Sequence, residues 1–228
     1  MCTVTYLPLG NNDFILTSNR DEDPKRRTIP PKEYNEEGVK LRYPKDALAG
    51  GTWIGLSEKD RLICLLNGGF TKHVRETFYK MSRGVIVKEL LKVSNPVEII
   101  RNFDFNGIEP FTIILVDWKN TLKAYELIWD GVQKHFVELK NEPKIWSSST
   151  LYNEEIKQLR REWFADWLQE NSEFSQTEIV AFHQDETKGS SEISLKMKRS
   201  NVETVSTTSV KKERDIITMD YYPVEVIK

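Results

Sequence analysis

The residue whose side chain is best suited to catalysis is Cys2, at the start of the chain. A thiol with an ordinary pKa of about 8.5 is only a few per cent thiolate at neutral pH, so it needs help to act as a nucleophile. If the initiator methionine is removed, which a small second residue permits, Cys2 also carries a free α-amine. That amine, with a pKa of about 7.7–8.0, can accept the thiol proton directly or through a water. Cys2 would then hold both nucleophile and base.

A second interpretation of Cys2 stays open on the residues alone. A cysteine that begins a strand is more often a small buried hydrophobic side chain than a nucleophile. A chain that keeps Met1 also has no free amine on Cys2, so the thiol would lack its built-in base. Processing of the first residue therefore decides between the two interpretations.

A polar tetrapeptide, Asn19-Arg20-Asp21-Glu22, follows the second of two predicted strands. Alternating residues 3–7 predict the first strand, residues 11–13 predict a turn, and residues 14–18 predict the returning strand. In an antiparallel pair the first strand starts where the second ends. The tetrapeptide should therefore lie beside Cys2.

Strands joined by short turns alternate with a few helices along the rest of the chain, which predicts an α+β fold of mainly antiparallel sheets. The prolines and charges between residues 20 and 50 predict a long irregular loop. The strongest helix prediction is residues 153–170, where an apolar stripe follows the cap Asn153. Further strands are predicted at 52–57, 61–66, 111–116, 122–129, 133–139, 203–210 and 216–222, and further helices at 86–93, after Asn95, and at 177–182.

Composition excludes several classes of protein. A formal net charge of -2 over 228 residues, with interleaved signs, gives no field that would gather nucleic acid or an anionic membrane. No apolar run is long enough to cross a bilayer and no secretory signal is visible, so we expect a cytoplasmic protein. Two cysteines and three scattered histidines predict neither a disulfide framework nor a metal site, and we expect each histidine to be a surface or satisfied core residue.

Several blocks of the sequence together resemble the NRDE (transport and Golgi organisation 2-like) family. The tetrapeptide at residues 19–22 gives the family its abbreviation, and the chain opens with Met1-Cys2-Thr3. Further familial blocks are Gly50-Gly51-Thr52-Trp53-Ile54-Gly55, Asn67, Ser82-Arg83-Gly84 and Pro110-Phe111. The resemblance implies a single domain over residues 1–228, folded as a four-layer αββα sandwich of two mainly antiparallel sheets with helices outside. This fold is similar to that of penicillin acylases and conjugated bile acid hydrolases, which cleave linear amides with an N-terminal cysteine.

The resemblance also implies roles for individual residues. Cys2 would attack an amide or thioester carbonyl, Asp21 would orient the α-ammonium, and Arg20 would stabilise the thiolate or bind a substrate carboxylate. Asn67 would donate to the tetrahedral oxyanion, with Ser149 as a weaker second donor because a hydroxyl offers one hydrogen where an amide offers two. Substrate contacts are expected from four further residues, namely Asn19, Glu22, Trp53 and Gly68.

Two departures from the family pattern lie in the C-terminal half. Ser149, in Ile145-Trp146-Ser147-Ser148-Ser149, stands where the family usually has asparagine, and Val205 replaces an arginine in the segment 204–208. Structural readings also stay open for the implied site. Asp21 and Glu22 could pair with Arg20 and cap a loop, and Asn67-Gly68 is an ordinary turn dipeptide.

Two functions from different classes are therefore carried forward. The first is a cysteine amidohydrolase or acyltransferase acting on a small acylated substrate, without cofactor or metal. The second is a non-catalytic carrier that binds haem or an acyl-lipid in the same pocket, because animal members of the family are thought to take part in haem and lipid handling. A structural factor of the secretory pathway has little support, since the sequence has no lipid or membrane motif.

Overall fold

The computed structural model describes residues 3–224, which form an α+β structure with two antiparallel sheets. The described strands, in chain order, are β1 (Thr3–Gly10), β2 (Asp13–Glu22), β3 (Thr28–Glu36), β4 (Val39–Asp46), β5 (Ile54–Ser57), β6 (Arg61–Asn67), β7 (Phe111–Asp117), β8 (Lys123–Trp129), β9 (Lys134–Glu138), β10 (Lys144–Ser147), β11 (Glu203–Glu213) and β12 (Ile216–Pro223). The described helices are α1 (Arg83–Lys92), α2 (Pro96–Asn102), α3 (Glu154–Glu170) and α4 (Gln176–His183).

The chain divides into two compact units, which are described separately. The first unit contains the chain up to Arg26 and from Glu142 onward, and the second contains Arg27–Asn141. Each unit holds one of the two sheets. The first sheet therefore combines strands from the N-terminal and C-terminal parts of the described chain.

The sheet of the first unit has five strands in the order β10-β1-β2-β11-β12. The hairpin of β1 and β2 turns at Asn11 and Asn12, which have φ angles of 49° and 67°. Asparagine adopts such left-handed conformations more readily than most residues, so the turn signal in the sequence is local. The predicted hairpins at both ends of the chain are confirmed, and they meet where β2 pairs with β11.

Helices α3 and α4 cover this sheet, and aromatic side chains fill the space between them. Asn153 caps α3 by accepting from the amide of Ile156, and Ser175 forms a capping box with Glu178 at α4. A buried cluster combines strand and helix residues, namely Leu7, Ile15, Phe164, Trp167, Ile179, Phe182 and Leu195. Burial of these large apolar surfaces fixes the helices against the sheet.

The sheet of the second unit has seven strands in sequence order, from β3 at one edge to β9 at the other. The predicted meander of β7, β8 and β9 is confirmed, as is the hairpin of β5 and β6. Helix α1 packs on β4, β5 and β6. Gly55 lets the helix approach, because a Cβ there would lie 2.7 Å from Leu91 Cδ1. Arg61, almost fully buried, donates to the carbonyls of Leu90, Val93 and Ser94 at the C-terminal end of α1.

The predicted irregular loop between residues 20 and 50 is wrong, because this segment completes β2 and forms the hairpin of β3 and β4. Proline normally disfavours strands, but β3 is an edge strand, and its ladder shifts register between Ile29 and Lys32, around Pro30 and Pro31. An edge or bulge position needs no amide donor from proline. Pro44 lies beyond the two residues of β4 that pair with β5. Pro30 and Pro31 therefore mark an irregular part of a strand and not a loop.

The structure differs from the sequence predictions at two further places. The sequence predicts no strand at β10, which pairs with β1 along the edge of the first sheet. In α3 the predicted apolar stripe is only partly buried, since Leu159 is 38% exposed while Arg160 is fully buried. No described helix is long and apolar enough to cross a membrane.

Candidate active site

Strand β2 carries the tetrapeptide of residues 19–22 in the middle of the first sheet. Thr3 of β1 lies opposite Asn19 on one side, and Thr207 of β11 lies opposite Asn19 on the other. Cys2 itself lies outside the described residues. The tetrapeptide begins opposite Thr3, the first residue of β1, so the predicted pairing of the two strands is confirmed. The position of Cys2 relative to the tetrapeptide stays a prediction.

Asn19 is fully buried and braces β2 against the helical side of the unit. Its amide nitrogen donates to the carbonyls of His183 (2.8 Å) and Leu195 (2.9 Å), and its oxygen accepts from Thr207 Oγ1 (2.9 Å). Both amide hydrogens are thus engaged within the protein. This bracing function was not foreseen, and the substrate contact assigned to Asn19 stays a prediction.

Asp21 is 4% exposed, and each of its carboxylate oxygens accepts a hydrogen bond from a neutral hydroxyl. Thr204 Oγ1 donates to Oδ1 at 2.7 Å, and the Tyr152 hydroxyl donates to Oδ2 at 3.1 Å. A buried carboxylate needs such donors because burial without them is costly. The purely structural interpretation pairs Asp21 with Arg20, whereas these two contacts come from hydroxyl groups.

Arg20 is 3% exposed, and side chains alternate along a strand, so it points to the face of the sheet opposite to that of Asp21. Its guanidinium lies 3.8 Å from Glu22 Oε2 and donates to the carbonyl of Arg26 at 3.3 Å. Arg26 also lies 3.4 Å from the same Glu22 oxygen. Glu22 therefore sits between two arginines at the rim, as the structural reading of this pair expected.

Behind β1 lies a buried polar pair, Arg160 and His183, that the sequence did not mark as a site. Arg160 donates to Thr3 Oγ1 and to the carbonyls of Ile193 and Ser194. His183 Nε2 lies 2.8 Å from Thr5 Oγ1. The periodicity of α3 could have pointed to Arg160, because it follows Ile156 and precedes Phe164 by four residues each.

His183 is a core residue as expected, but it is not fully satisfied, since its Nδ1 has no partner among residues 3–224. Burial lowers the pKa of His183 to about 3, and the nearby charge of Arg160 acts in the same direction. The imidazole is therefore neutral in the folded protein throughout the physiological range.

The depressed pKa of His183 predicts an acid-sensitive fold. The unfolded histidine takes up a proton below a pKa of about 6.5 and the folded one does not, so its stabilising contribution is present above pH 6.5 and is lost as the pH falls towards 3. At pH 5 the loss is about 2 kcal/mol of unfolding free energy. Urea unfolding at pH 7 and pH 5 should show a smaller loss in His183→Gln than in wild type. The half-exposed His135 supplies the control, and a His135→Gln profile as flat as that of His183→Gln would contradict the assignment.

Ser149 is buried, and its hydroxyl has no hydrogen-bond partner among the described residues. The same holds for the hydroxyls of Ser18, Ser206 and Thr208. Ser206 lies opposite Arg20 and Thr208 lies opposite Ser18, so these three hydroxyls and the guanidinium share one face of the sheet. Val205 occupies a bulge between Thr204 and Ser206, where the ladder shifts by one residue.

The second unit holds the remaining predicted site residues, namely Trp53, Asn67 and Gly68. Asn67 is the last residue of β6, and Gly68 turns the chain with a φ of 86°. The amide of Gly68 donates to the carbonyl of Pro110 at 2.9 Å, and Thr112 Oγ1 donates to the carbonyl of Gly68 at 3.0 Å. Gly68 is therefore held through both its amide and its carbonyl. Trp53 is buried, and the substrate contact assigned to it stays a prediction.

A sequence comparison decides the family. The profile of the Transport and Golgi organisation 2 family matches residues 1–223. The chain belongs to this family, which is the NRDE family that the tetrapeptide suggested. No curated protein sequence matches the chain. Family membership confirms the resemblance drawn from the blocks in the N-terminal half.

Comparison with solved structures shows the fold of this member of the Transport and Golgi organisation 2 family. A Caenorhabditis elegans N-acylethanolamine-hydrolyzing acid amidase ortholog is similar with a TM-score of 0.63 and 14% identity, over 91% of this chain and 92% of that one. A variant of conjugated bile acid hydrolase from Clostridium perfringens is similar with a TM-score of 0.50 and 11% identity, over 98% of this chain and 97% of that one. At these identities the likeness shows the fold alone, and it confirms the predicted N-terminal-nucleophile-hydrolase-like class.

Two blocks of the Transport and Golgi organisation 2 pattern meet in the second unit, which gives them a structural reason. A Cβ on Gly84 would lie 2.9 Å from the carbonyl oxygen of Thr52, and a Cβ on Gly51 would lie 3.2 Å from the backbone of Gly84. Only glycine fits such a close approach between a loop and a helix N-terminus. Arg83, the residue before Gly84, donates to the carbonyl of Pro110 at 3.1 Å. The same carbonyl also accepts from the amide of Gly68.

No group of three or more His, Cys, Asp or Glu side chains within residues 3–224 is arranged to hold a metal ion. His73 instead lies 3.2 Å from Glu109, and His135 lies 2.8 Å from Asp130.

Proposed function

We propose that the chain is a cysteine-dependent amidohydrolase or acyltransferase of the N-terminal-nucleophile type, acting on a small acylated substrate through an amide or thioester carbonyl. The observation that carries the proposal is the buried carboxylate of Asp21, held by two hydroxyls at the end of the strand that pairs with β1. Asp21 lies two residues beyond Asn19, the partner of Thr3, and a fixed carboxylate at that point of β2 is suited to hold an α-ammonium group. The Transport and Golgi organisation 2 family and the fold of the two amidohydrolases support it.

The proposed reaction uses the two functional groups of Cys2, once Met1 has been removed. The α-amine takes the thiol proton, and the sulfur attacks the carbonyl carbon to give a tetrahedral oxyanion. The oxyanion collapses, the carbon–nitrogen or carbon–sulfur bond breaks, and the α-ammonium returns its proton to the leaving group. Water or another acceptor nucleophile then attacks the thioester and releases the acyl group and the Cys2 thiol.

The remaining roles follow the charge that develops in each step. Asp21 holds the α-ammonium, and Arg20 stabilises the thiolate or a substrate carboxylate. Asn67, at the end of β6, donates to the oxyanion, an interaction worth about 3 kcal/mol in other hydrolases. Ser149 is the weaker second donor. Glu22, Gly68, Trp53 and Asn19 are assigned to substrate contact.

The proposal is tested by intact-mass measurement of natively produced protein, followed by brief labelling with iodoacetamide. We expect a mass without Met1 and one alkylated residue, Cys2. The chain supplies its own control, because Cys64 is fully buried on β6 and should react only after unfolding. A native mass that retains Met1, or a Cys2 thiol that reacts no faster than Cys64, would contradict the proposed function.

A further inference from the structure

We propose that Tyr152 and Thr204 are positioning residues for Asp21, and that the bulge at Val205 exists to bring Thr204 to it. The inference rests on the proposed function of Cys2 and extends it to two side chains and a backbone bulge to which the sequence pattern assigns no role. Neither residue touches the reacting atoms in this scheme. Both act by fixing the carboxylate that orients the α-ammonium.

The two hydroxyls fix the orientation of the carboxylate because they reach different oxygens from different parts of the chain. Thr204 Oγ1 donates to Oδ1 from the adjacent strand β11, and the Tyr152 hydroxyl donates to Oδ2 from the turn before α3. A carboxylate held at one oxygen can still rotate about its Cβ–Cγ bond. Contacts at both oxygens remove that freedom, and both donors are uncharged hydroxyls.

Each hydroxyl is itself held in the donating orientation. Thr204 Oγ1 accepts from the amide of Met197 at 3.0 Å, so its own hydrogen remains available for Asp21. Tyr152 is 1% exposed, and the guanidinium of Arg160 stacks on its ring with 3.7 Å between the guanidinium carbon and the ring centroid. The backbone amide of Tyr152 donates to the carbonyl of Ser148 at 3.0 Å. Ring and backbone are therefore both anchored before the hydroxyl meets Asp21.

The bulge in β11 decides which residue faces Asp21. Ser206 lies opposite Arg20, so an unbroken ladder would place Val205 opposite Asp21. The shift between Thr204 and Ser206 instead brings Thr204 opposite Asp21, while Val205 is left without a partner in that ladder. An apolar isopropyl group beside a buried carboxylate is thereby replaced by a hydroxyl. Bulges next to active sites commonly re-aim a side chain in this way.

The test measures acylation of Cys2 by 4-nitrophenyl acetate, followed through release of 4-nitrophenolate. We expect Tyr152→Phe and Thr204→Val each to lower kcat about tenfold, because small displacements of a positioning group reduce rates by one to two orders of magnitude. KM should stay within about twofold, since neither residue is assigned to substrate contact. Thr204→Ser keeps the hydroxyl and should retain at least about half of the wild-type kcat.

Matched controls are Thr218→Val and Tyr222→Phe, which remove the same groups from β12. Both should react at the wild-type rate. Wild-type rates in Tyr152→Phe and Thr204→Val, or an equal loss in Thr204→Ser and Thr204→Val, would overturn the inference while Cys2→Ala stays inactive. Cys2→Ala acylated as fast as wild type would instead overturn the proposed function. If Thr204→Val does not fold, Tyr152→Phe alone decides, because it keeps the ring that Arg160 covers.

Discussion

Replacing Cys2 with alanine should abolish turnover of amide and thioester substrates, with kcat/KM lowered by a factor on the order of 10⁴ or more. The side chain supplies the atom that bonds to the acyl group, and alanine has no group that can replace it in that step. A panel of N-acyl-7-amino-4-methylcoumarin amides with acyl chains of increasing length measures the loss and also reports which acyl group is preferred. Cys2→Ala leaves the α-amine in place, so the comparison isolates the sulfur.

The control for this prediction is the second cysteine. Cys64 lies in the core of the second unit on β6, and Cys64→Ala should keep kcat/KM within about threefold of wild type. Activity retained in Cys2→Ala would rule out the nucleophile. A wild-type protein that turns over nothing, yet binds haem or an acyl-lipid equally well with and without the Cys2 sulfur, would favour the carrier function. A shifted haem absorption band on titration is the direct readout for haem binding.

The parts of the fold that could be predicted are those set by neighbouring residues in the sequence. The turn at Asn11 and Asn12 reverses the chain through two left-handed residues, and it alone places residues 19–22 beside the start of β1. The caps Asn153 and Asn95 are likewise local, because a side chain meets an amide three residues later. Adjacency of the tetrapeptide and Thr3 therefore needed no tertiary information.

The parts that could not be predicted depend on partners far away in the sequence. The signals of Pro30 and Pro31 break strands on average, and only the edge position of β3 makes them tolerable there. The partners of Asp21 are separated from it by 131 and 183 residues, so a hydrogen bond to Tyr152 or Thr204 leaves no local pattern. From the sequence alone, the adjacent cation Arg20 is the expected ion-pair partner of Asp21.

The hydrogen-bond partners of Arg160 are a further such case, since periodicity indicates its position but not what it binds, and its replacement should have the largest effect on stability. Periodicity placed an apolar stripe on α3, but the position between Ile156 and Phe164 holds a fully buried guanidinium. Its donors satisfy Thr3 Oγ1 and two backbone carbonyls, and its plane covers Tyr152. Arg160→Met keeps much of the volume but leaves these acceptors unpaired, so we expect a loss of about 3–5 kcal/mol of unfolding free energy, measured by urea denaturation.

Two further variants distinguish the effect of the guanidinium hydrogen bonds of Arg160 from the effect of its charge and from that of replacing any arginine on α3. Arg160→Lys keeps the charge, yet an ammonium group cannot reproduce the planar fork or the stacking on Tyr152, so it should recover only part of the lost free energy. Arg161→Met changes the next residue of α3, whose guanidinium is 44% exposed and pairs with Glu154, and it should stay within about 0.5 kcal/mol of wild type. An Arg160→Met protein as stable as Arg161→Met would show that the hydrogen bonds of Arg160 do not stabilise the packing of α3 on the first sheet. Thr3, and with it the segment that carries Cys2, would then owe its placement to the strand ladders alone.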